Sequence, residues 1–535
     1  MITIRDHQTG DLFDPWDHLG GKRRQLLERS WASVFRDYLL EHLPVGELIT
    51  RFSRQLGRPT KDLHMVLGAL ILQQLHDLTD AATVEAVAFN ITWQYALDIR
   101  AESDAYLCER TLRNYRQWLI EKGLDQVLFR SLTDQLIKAV GTDTSKQRLD
   151  STAIQSAMRG LTRLGIIVES ISKFLRELRR FHPALHAQVD PDLVRKYVDR
   201  EGNACFASTK PSESKRRLPE AATDLLALVT QLRGTTALEL PSFLILDRVL
   251  SEQCEVKNDP EAGPQVRVKE PNEMPCGNVL SPADPDASYN AHRGVGFLVQ
   301  IMETYSDVED DPTGTAPPPP PDLITHVAVG PMNVHDGSSL EPALADTDAR
   351  TIKPEVVLAD SHYGSNENLE KAKHQGVDLV SPSMPPKGSK QEKLTLEDFE
   401  LDEHGLVVRC PQGHVPITTS ASADKLQVCF EEATCAACPF HKSCCASAVG
   451  RKESRYQYTY DRVRQRLRRL HNHSDEFKER YRWRSGIEGT MSRFKYQMRM
   501  ASLRIRGRAA VSYASFLRAL GLNIHRVAAY KAALE

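Results

Sequence analysis

Over most of residues 20–135 apolar positions recur every three or four residues, the period of helices packed on one face. WASVFRDYLLEHLP sets Phe35, Leu39 and Leu43 four residues apart and halts at Pro44, which cannot continue a helix. Asp62 to Leu75 (DLHMVLGALILQQL) is apolar nearly all round and predicts a buried helix, and Glu109 to Gly123 continues the pattern. At KQRLDSTAIQ (146–155) the period shortens to two and predicts a strand. Helical spacing returns over roughly 172–250, through Phe174, Leu175, Leu178 and AATDLLALVTQLR, and residues 255–290 read as polar loop.

Strand signals then resume with GVGFLVQIMET (294–304) and LITHVAVGPMN (323–333), separated by the breaker DPTGTAPPPPPD. A short helix is expected at Leu340–Ala345, a buried strand at EVVLAD (355–360), a helix at NENLEKAKHQG stopped by Gly376, and a strand at VDLVSPS. A long helix closes the chain. This order predicts an α/β layer with a mixed sheet.

Composition is ordinary for 535 residues: 41% apolar, 26% charged, net charge −2. The average hides an asymmetry, because residues 451–510 hold 18 Arg and Lys against 6 Asp and Glu. A patch of that sign matches a phosphate backbone, and equally a solvated helical face. The N-terminal stretch MITIRDHQTGDLFDPW lacks an apolar leader and no run reaches the length of a membrane span, so the expectation is a cytoplasmic protein without a membrane partner.

Three acids stand where chemistry is plausible. Asp150 interrupts a strand, and buried strands rarely carry an unpaired carboxylate. Asp360 ends a strand and precedes SHYG, at the sheet edge where ligands bind in α/β folds. Glu488 is the single acid of YRWRSGIEGTMSRFKYQ. Carboxylates from three elements meeting at one sheet end suit Mg²⁺, with Mn²⁺ able to substitute, and such ions support phosphodiester cleavage. Asp143 in GTDTS and Asp336 in VHDGS are rival positions that spacing does not separate from these. On an ideal helix Tyr481, Arg484, Glu488 and Lys495 project within about 60° of one another. The competing reading is an Arg484–Glu488 surface pair worth a few tenths of a kcal/mol.

With those stretches in view, the chain resembles the DDE transposases of the IS1182 group, related to the IS4 and IS5 insertion-sequence families. DLFDPW, SWASVFRDYLLEHLP, GRPTKDLHMVLGALIL and FNITWQYALD carry the resemblance in the N-terminal part. QRLDST, DPDASYNAHRG, VVLADSHYGSNENL and YRWRSGIEGTMSRFK carry it in the core, with the Tyr-x2-Arg-x3-Glu-x6-Lys spacing intact. The resemblance implies an RNase H-like fold with Asp150, Asp360 and Glu488 as catalytic metal ligands. It implies cleavage at transposon ends and strand transfer to target DNA. Tyr481, Arg484, Arg493, Lys495, Arg499, Arg504 and Arg506 would contact double-stranded DNA, and a homodimer would assemble on it. His362 is given no role.

The organisation expected is a helical N-terminal domain (1–135) for DNA binding or dimerisation and an RNase H-like core (140–160 and 285–400). To these are added a helical insertion (161–250), a Cys-rich insertion (405–450) and C-terminal core helices (455–535). Within the Cys-rich part, TCAAC is a Cys-x2-Cys pair, and Cys410, Cys435, Cys438 and Cys444 are the best four ligands for a structural Zn²⁺, with His414 or Cys445 as substitutes. Buried free thiols are the plain alternative. Two further functions stay open beside a transposase: a DNA-binding repressor or host-adopted protein that no longer cuts, and a nuclease or phosphoesterase without strand transfer.

Overall fold

The structure is a computed structural model that describes residues 2–7, 14–50, 52, 59–158, 160–199, 211–259, 263–309, 317–386, 393–450 and 452–534. Residues 311–316 of the proline-rich breaker, and 11–13 and 57–58 of the N-terminal resemblance, lie outside it.

An N-terminal helical region is followed by a mixed sheet. Helix Leu63–Leu75 begins at Asp62, whose side chain accepts from Met65 N–H at 3.1 Å, and every residue but Gln74 is buried. Burying each Leu or Ile there contributes about 2 kcal/mol, which outweighs the weak amphipathicity of the segment. Phe35–Leu39 is a π turn and Leu40–His42 a 3₁₀ turn, so the expected helix tightens before Pro44. Helix Glu109–Lys122 stops at Gly123, which takes the left-handed conformation at φ 64°. Helix Leu124–Val140 then leads into the sheet.

The sheet has six strands. Five carry the argument: β1 (Lys146–Gln155), β2 (Gly294–Thr304), β3 (Ile324–Pro331), β4 (Val356–Ala359) and β5 (Asp378–Val380). Their order is β3-β2-β1-β4-β5; β1, β2 and β3 run antiparallel, while β4 and β5 pair parallel to β1 and to each other. This topology is consistent with an RNase H-like core. A short strand, Ser288–Asn290, pairs with the start of β2. Helices Leu340–Ala349 and Asn366–His374 cover one face through Leu149, Met302 and Val357. The other face packs Val299, Ile301 and Ile154 into one core with the N-terminal helices and the long helix Arg508–Leu534.

Between β1 and β2, helices Arg163–Phe181, Pro211–Leu232 and Pro241–Gln253 bury their own core, running from Leu164 to Val279. The helical pattern starts nearer 163 than 172. The stretch expected as loop contains a hairpin, Cys254–Asp259 with Gly263–Val268, because Val266 and Val268 alternate onto that helical core. The cysteine-containing segment carries an unexpected four-stranded antiparallel sheet, ordered Thr418–Ala421, Lys425–Glu431, Glu453–Thr459, Ser447–Val449.

Candidate active site

Asp150 lies on β1 opposite Ile301, and its side chain is only 14% exposed. Asp360 follows β4, the parallel neighbour of β1, so the pairing brings the two acids to adjacent strands. Glu488 comes from helix Gly486–Ser492 and is largely exposed. Arg484 joins two of the three: Nη2 donates to Asp150 Oδ2 at 2.6 Å and Nη1 to Glu488 Oε1 at 2.8 Å. The Arg484–Glu488 pair of the surface reading is therefore real, and the same guanidinium reaches the buried acid 334 residues away.

Electrostatics put Asp360 in the same neighbourhood. Burial pushes the Asp150 carboxyl up to about 6; Arg484 opposes the shift, while Asp360 and Asp336 add repulsion. Burial also pushes the Tyr481 hydroxyl up to about 12, opposed by Arg484 and reinforced by Asp360, Asp150 and Glu488. Tyr481 stacks on Phe477 with ring centroids 5.3 Å apart. Asp360 accepts from His362 N–H at 2.9 Å and faces its Nδ1 at 3.3 Å. The SHYG turn is pressed against β5's exit, since a Cβ at Gly364 would lie 2.4 Å from the Pro382 carbonyl oxygen, and Ser381 Oγ donates to the Asp360 carbonyl at 2.6 Å.

The rival acids separate. Asp143 is exposed and caps its own turn through Ser145 N–H and Oγ. Asp336 is buried beside the site, but Arg293 clamps it with two bonds of 2.9 and 2.6 Å. Burial would raise its pKa, and the Arg293 guanidinium instead holds it below the usual range.

A second tier of residues has no counterpart in the sequence reading. Glu303 on β2 is fully buried opposite Arg148 of β1. It accepts from Arg148 Nε at 2.8 Å, Arg526 Nη1 at 2.9 Å and Thr490 Oγ1 at 2.6 Å. Burial alone would raise its pKa; Arg526, Arg148 and Thr490 hold it down. Arg148 also donates to the Trp483 carbonyl at 2.9 Å. The network pins the helix that carries Glu488 onto the sheet. Gly486 leaves room for the Arg148 guanidinium, because a Cβ there would sit 2.2 Å from Arg148 Nη1 and push it out of the network. A Glu within the apolar run of β2 is the signal that could have revealed this joint.

The single-face projection of Tyr481, Arg484, Glu488 and Lys495 needs correction. The stretch passes from helix Asp475–Tyr481 to a 3₁₀ turn Arg482–Ser485, an α segment and a π turn Arg493–Gln497, so 100° per residue does not hold. Lys495 lies half-buried in the π turn, and its ammonium makes no ion pair among the described residues. Arg493 and Arg504 are exposed, Arg499 faces Asp77 at 3.5 Å, and Arg506 Nε donates to the Ala157 carbonyl at 2.8 Å. DPDASYNAHRG turns out to make joints: Asp284 and Asp286 accept from the backbone N–H of Gly507 and Arg508 at the start of the last helix, and Arg293 is the clamp on Asp336.

Residues 409–528 match the family described as Transposase DDE domain. The chain contains a DDE-type transposase domain. Residues 27–118 match a separate Transposase domain (DUF772), which covers helix Leu63–Leu75. No curated protein and no solved structure matches the chain. Glu488, Arg484 and the cysteine cluster fall inside the DDE match; Asp150 and Asp360 are brought to it by the sheet.

Two further groups bear on metals. Cys410, Cys435, Cys438 and Cys444 line one cavity of about 210 Å³ together with His414 and His441. The Cys444 thiol is pulled down to about 6, first by its hydrogen bond with Cys445, while burial raises Cys435. Cys429 is buried on strand Lys425–Glu431 and takes no part in the cavity. Asp62 and His64, inside the DUF772 match, and His7, ahead of it, form a small cluster capable of coordinating a metal ion, with ligand atoms within 4.8 Å of one another. Among the described residues neither the four thiols nor Asp150, Asp360 and Glu488 gather that closely. Between Asp150 and Glu488 the intervening body is the Arg484 guanidinium.

No helix among the described residues is long and apolar enough to cross a membrane.

Proposed function

We propose that this chain is a metal-dependent transposase of the kind the IS1182 group represents, which binds the terminal inverted repeats of its element and carries out DNA cleavage and strand transfer. The observation that carries the reading is the bridge from Arg484 to both Asp150 and Glu488, with Asp360 at the end of the adjacent parallel strand. Asp150, Asp360 and Glu488 would hold Mg²⁺ or Mn²⁺ once Arg484 swings out from between Asp150 and Glu488, and their chemistry suits such an ion: three carboxylates from three elements, all oxygen. Such an ion supplies an activated oxygen nucleophile and charge stabilisation at the leaving oxygen.

The chain's own residues do the positioning. Arg484 presents a guanidinium fork and can turn an N–H from Glu488 to a phosphate oxygen. Tyr481, protonated through neutral pH, can donate to the same phosphate. Arg493, Lys495, Arg499, Arg504 and Arg506 would contact the duplex backbone, and paired ends call for a homodimer on DNA. The four thiols would hold a structural Zn²⁺, which Co²⁺ substitution reports through a thiolate charge-transfer band. A cytoplasmic site of action, on nucleoid DNA, belongs to the same reading.

One observation favours a second reading, a DNA-binding protein that no longer cuts: Arg484 already neutralises the two acids it joins. Labelled duplex carrying the element's terminal repeats, incubated with Mg²⁺ or Mn²⁺, separates the two. We predict metal-dependent cuts at the repeat edge for the natural protein, lost by at least 100-fold in Glu488→Gln while binding persists. Specific binding with no cutting by either protein would establish the silent reading instead.

A further inference from the structure

The His7–Asp62–His64 cluster lies outside the DDE machinery and has the anatomy of a metal centre. Residues 2–7 run along the start of helix Leu63–Leu75: Thr3 N–H donates to Thr60 Oγ1 at 2.9 Å, Arg5 N–H to Asp62 Oδ1 at 3.0 Å, and Leu63 N–H to the Thr3 carbonyl at 3.3 Å. This delivers His7 into the domain with its side chain only 3% exposed. Its Nδ1 meets Asp98 Oδ2 at 2.9 Å, and its Nε2 is 2.9 Å from Asp62 Oδ2.

With an ion bound, an Nδ1–H given to Asp98 leaves the Nε2 lone pair for the ion, shared with Asp62. That is the carboxylate–histidine arrangement by which an outer acid fixes the tautomer of a metal-ligating imidazole. Asp98 is built for the role. It is 1% exposed, sits at φ 50°, and is itself held by Arg36 and Arg100. His64 supplies the second, independent observation: the residue is 4% exposed, its Nδ1 is buried with no hydrogen-bond partner, and that atom lies 3.8 Å from Asp62 Oδ1. A buried imidazole nitrogen without a partner is destabilising unless something meets it. A cavity of about 330 Å³ lined by Thr3, Arg5, Lys61 and Asp98 opens onto His7 and Asp62.

We propose that His7, Asp62 and His64 bind one divalent transition-metal ion, Zn²⁺ by class, which clips residues 2–7 onto the helical domain. Two imidazoles and one carboxylate are a borderline donor set, distinct from the all-oxygen set around Asp150. Without the ion, the contact between His7 Nε2 and Asp62 needs a proton; binding replaces that proton and releases it to solvent. The ion also satisfies His64 Nδ1.

The test uses the full chain, stripped with chelator and titrated with Zn²⁺ and with Co²⁺. Compared with the natural protein, His64→Gln is expected to bind one equivalent fewer, while any thiolate-to-cobalt charge-transfer band from the cysteine cavity keeps its intensity. Asp98→Asn, which keeps all three ligands, is expected to bind the same equivalent 10- to 100-fold more weakly. Thermal unfolding of the stripped variants checks that each is folded. Equal stoichiometry and affinity in the natural protein and His64→Gln would overturn the proposal. So would a natural protein whose bound metal is all reported by thiolate absorption, leaving an ion-paired imidazolium at His7.

Discussion

Arg484 and Glu303 decide what the site is at the scale of single residues. Arg484 is a cation shared by an almost buried acid and an exposed one. Glu303 is the opposite case, a fully buried acid shared by Arg148 and Arg526. Breaking a buried ion pair by removing one partner costs about 3–5 kcal/mol, because the remaining charge is stranded. Glu303→Gln keeps the shape, takes from Arg526 its carboxylate partner and leaves Arg148 with Asp322 alone. We expect it to lower the unfolding free energy by about 3 kcal/mol in denaturant titration, and to weaken any activity through displacement of the Glu488 helix. A loss below about 1 kcal/mol would show that the network is not a structural joint. Asp150 and Asp360 were legible in the sequence because an acid in or at the end of an apolar strand is costly unless used. Glu303 obeys the same rule, but the apolar run of GVGFLVQIMET masks it.

Elements differ in how far the sequence disclosed them. β1 to β5 and the buried helix Leu63–Leu75 follow from period and length. The strand pair Lys425–Glu431 and Glu453–Thr459 alternates just as clearly, through Leu426, Val428 and Phe430 against Tyr456 and Tyr458, yet cysteine spacing dominates that stretch. The π turn at Arg493–Gln497 leaves no periodic trace, so the face projection of Lys495 could not be corrected from sequence. Helix Leu124–Val140 carries a separate consequence. Asp125 in its first turn is 5% exposed, and burial pushes its carboxyl up to about 6. The folded state then binds more protons than the unfolded chain between about pH 4 and 6, so stability falls as pH rises through that window. Asp125→Asn removes the penalty. The variant is expected to exceed the natural protein by about 1–3 kcal/mol at pH 7, with the difference vanishing near pH 4. A pH-independent difference in parallel unfolding titrations would refute this.

Across the whole molecule, one sheet gathers distant parts of the chain. β1 lies between β2, reached through more than a hundred residues of separately packed helices and hairpin, and β4, which ends at Asp360. The DDE match begins only at residue 409, so Asp150 and Asp360 join the matched segment through strand pairing and the Arg148–Glu303–Thr490 joint. Sequence spacing could not show that convergence, because contact between residues 150 and 484 is made by topology. The proposed transposase requires that the three acids act as one metal site. Exchanging a hard oxygen ligand for a soft thiolate tests that claim, since Mn²⁺ accepts sulfur more readily than Mg²⁺ does. The decisive measurement is cleavage of terminal-repeat duplex by Asp360→Cys in each ion. A shared metal site predicts loss of cutting in Mg²⁺ and recovery of at least 10-fold in Mn²⁺, beyond any gain by the natural protein. Cutting by Asp360→Cys at the natural rate in Mg²⁺ would contradict it.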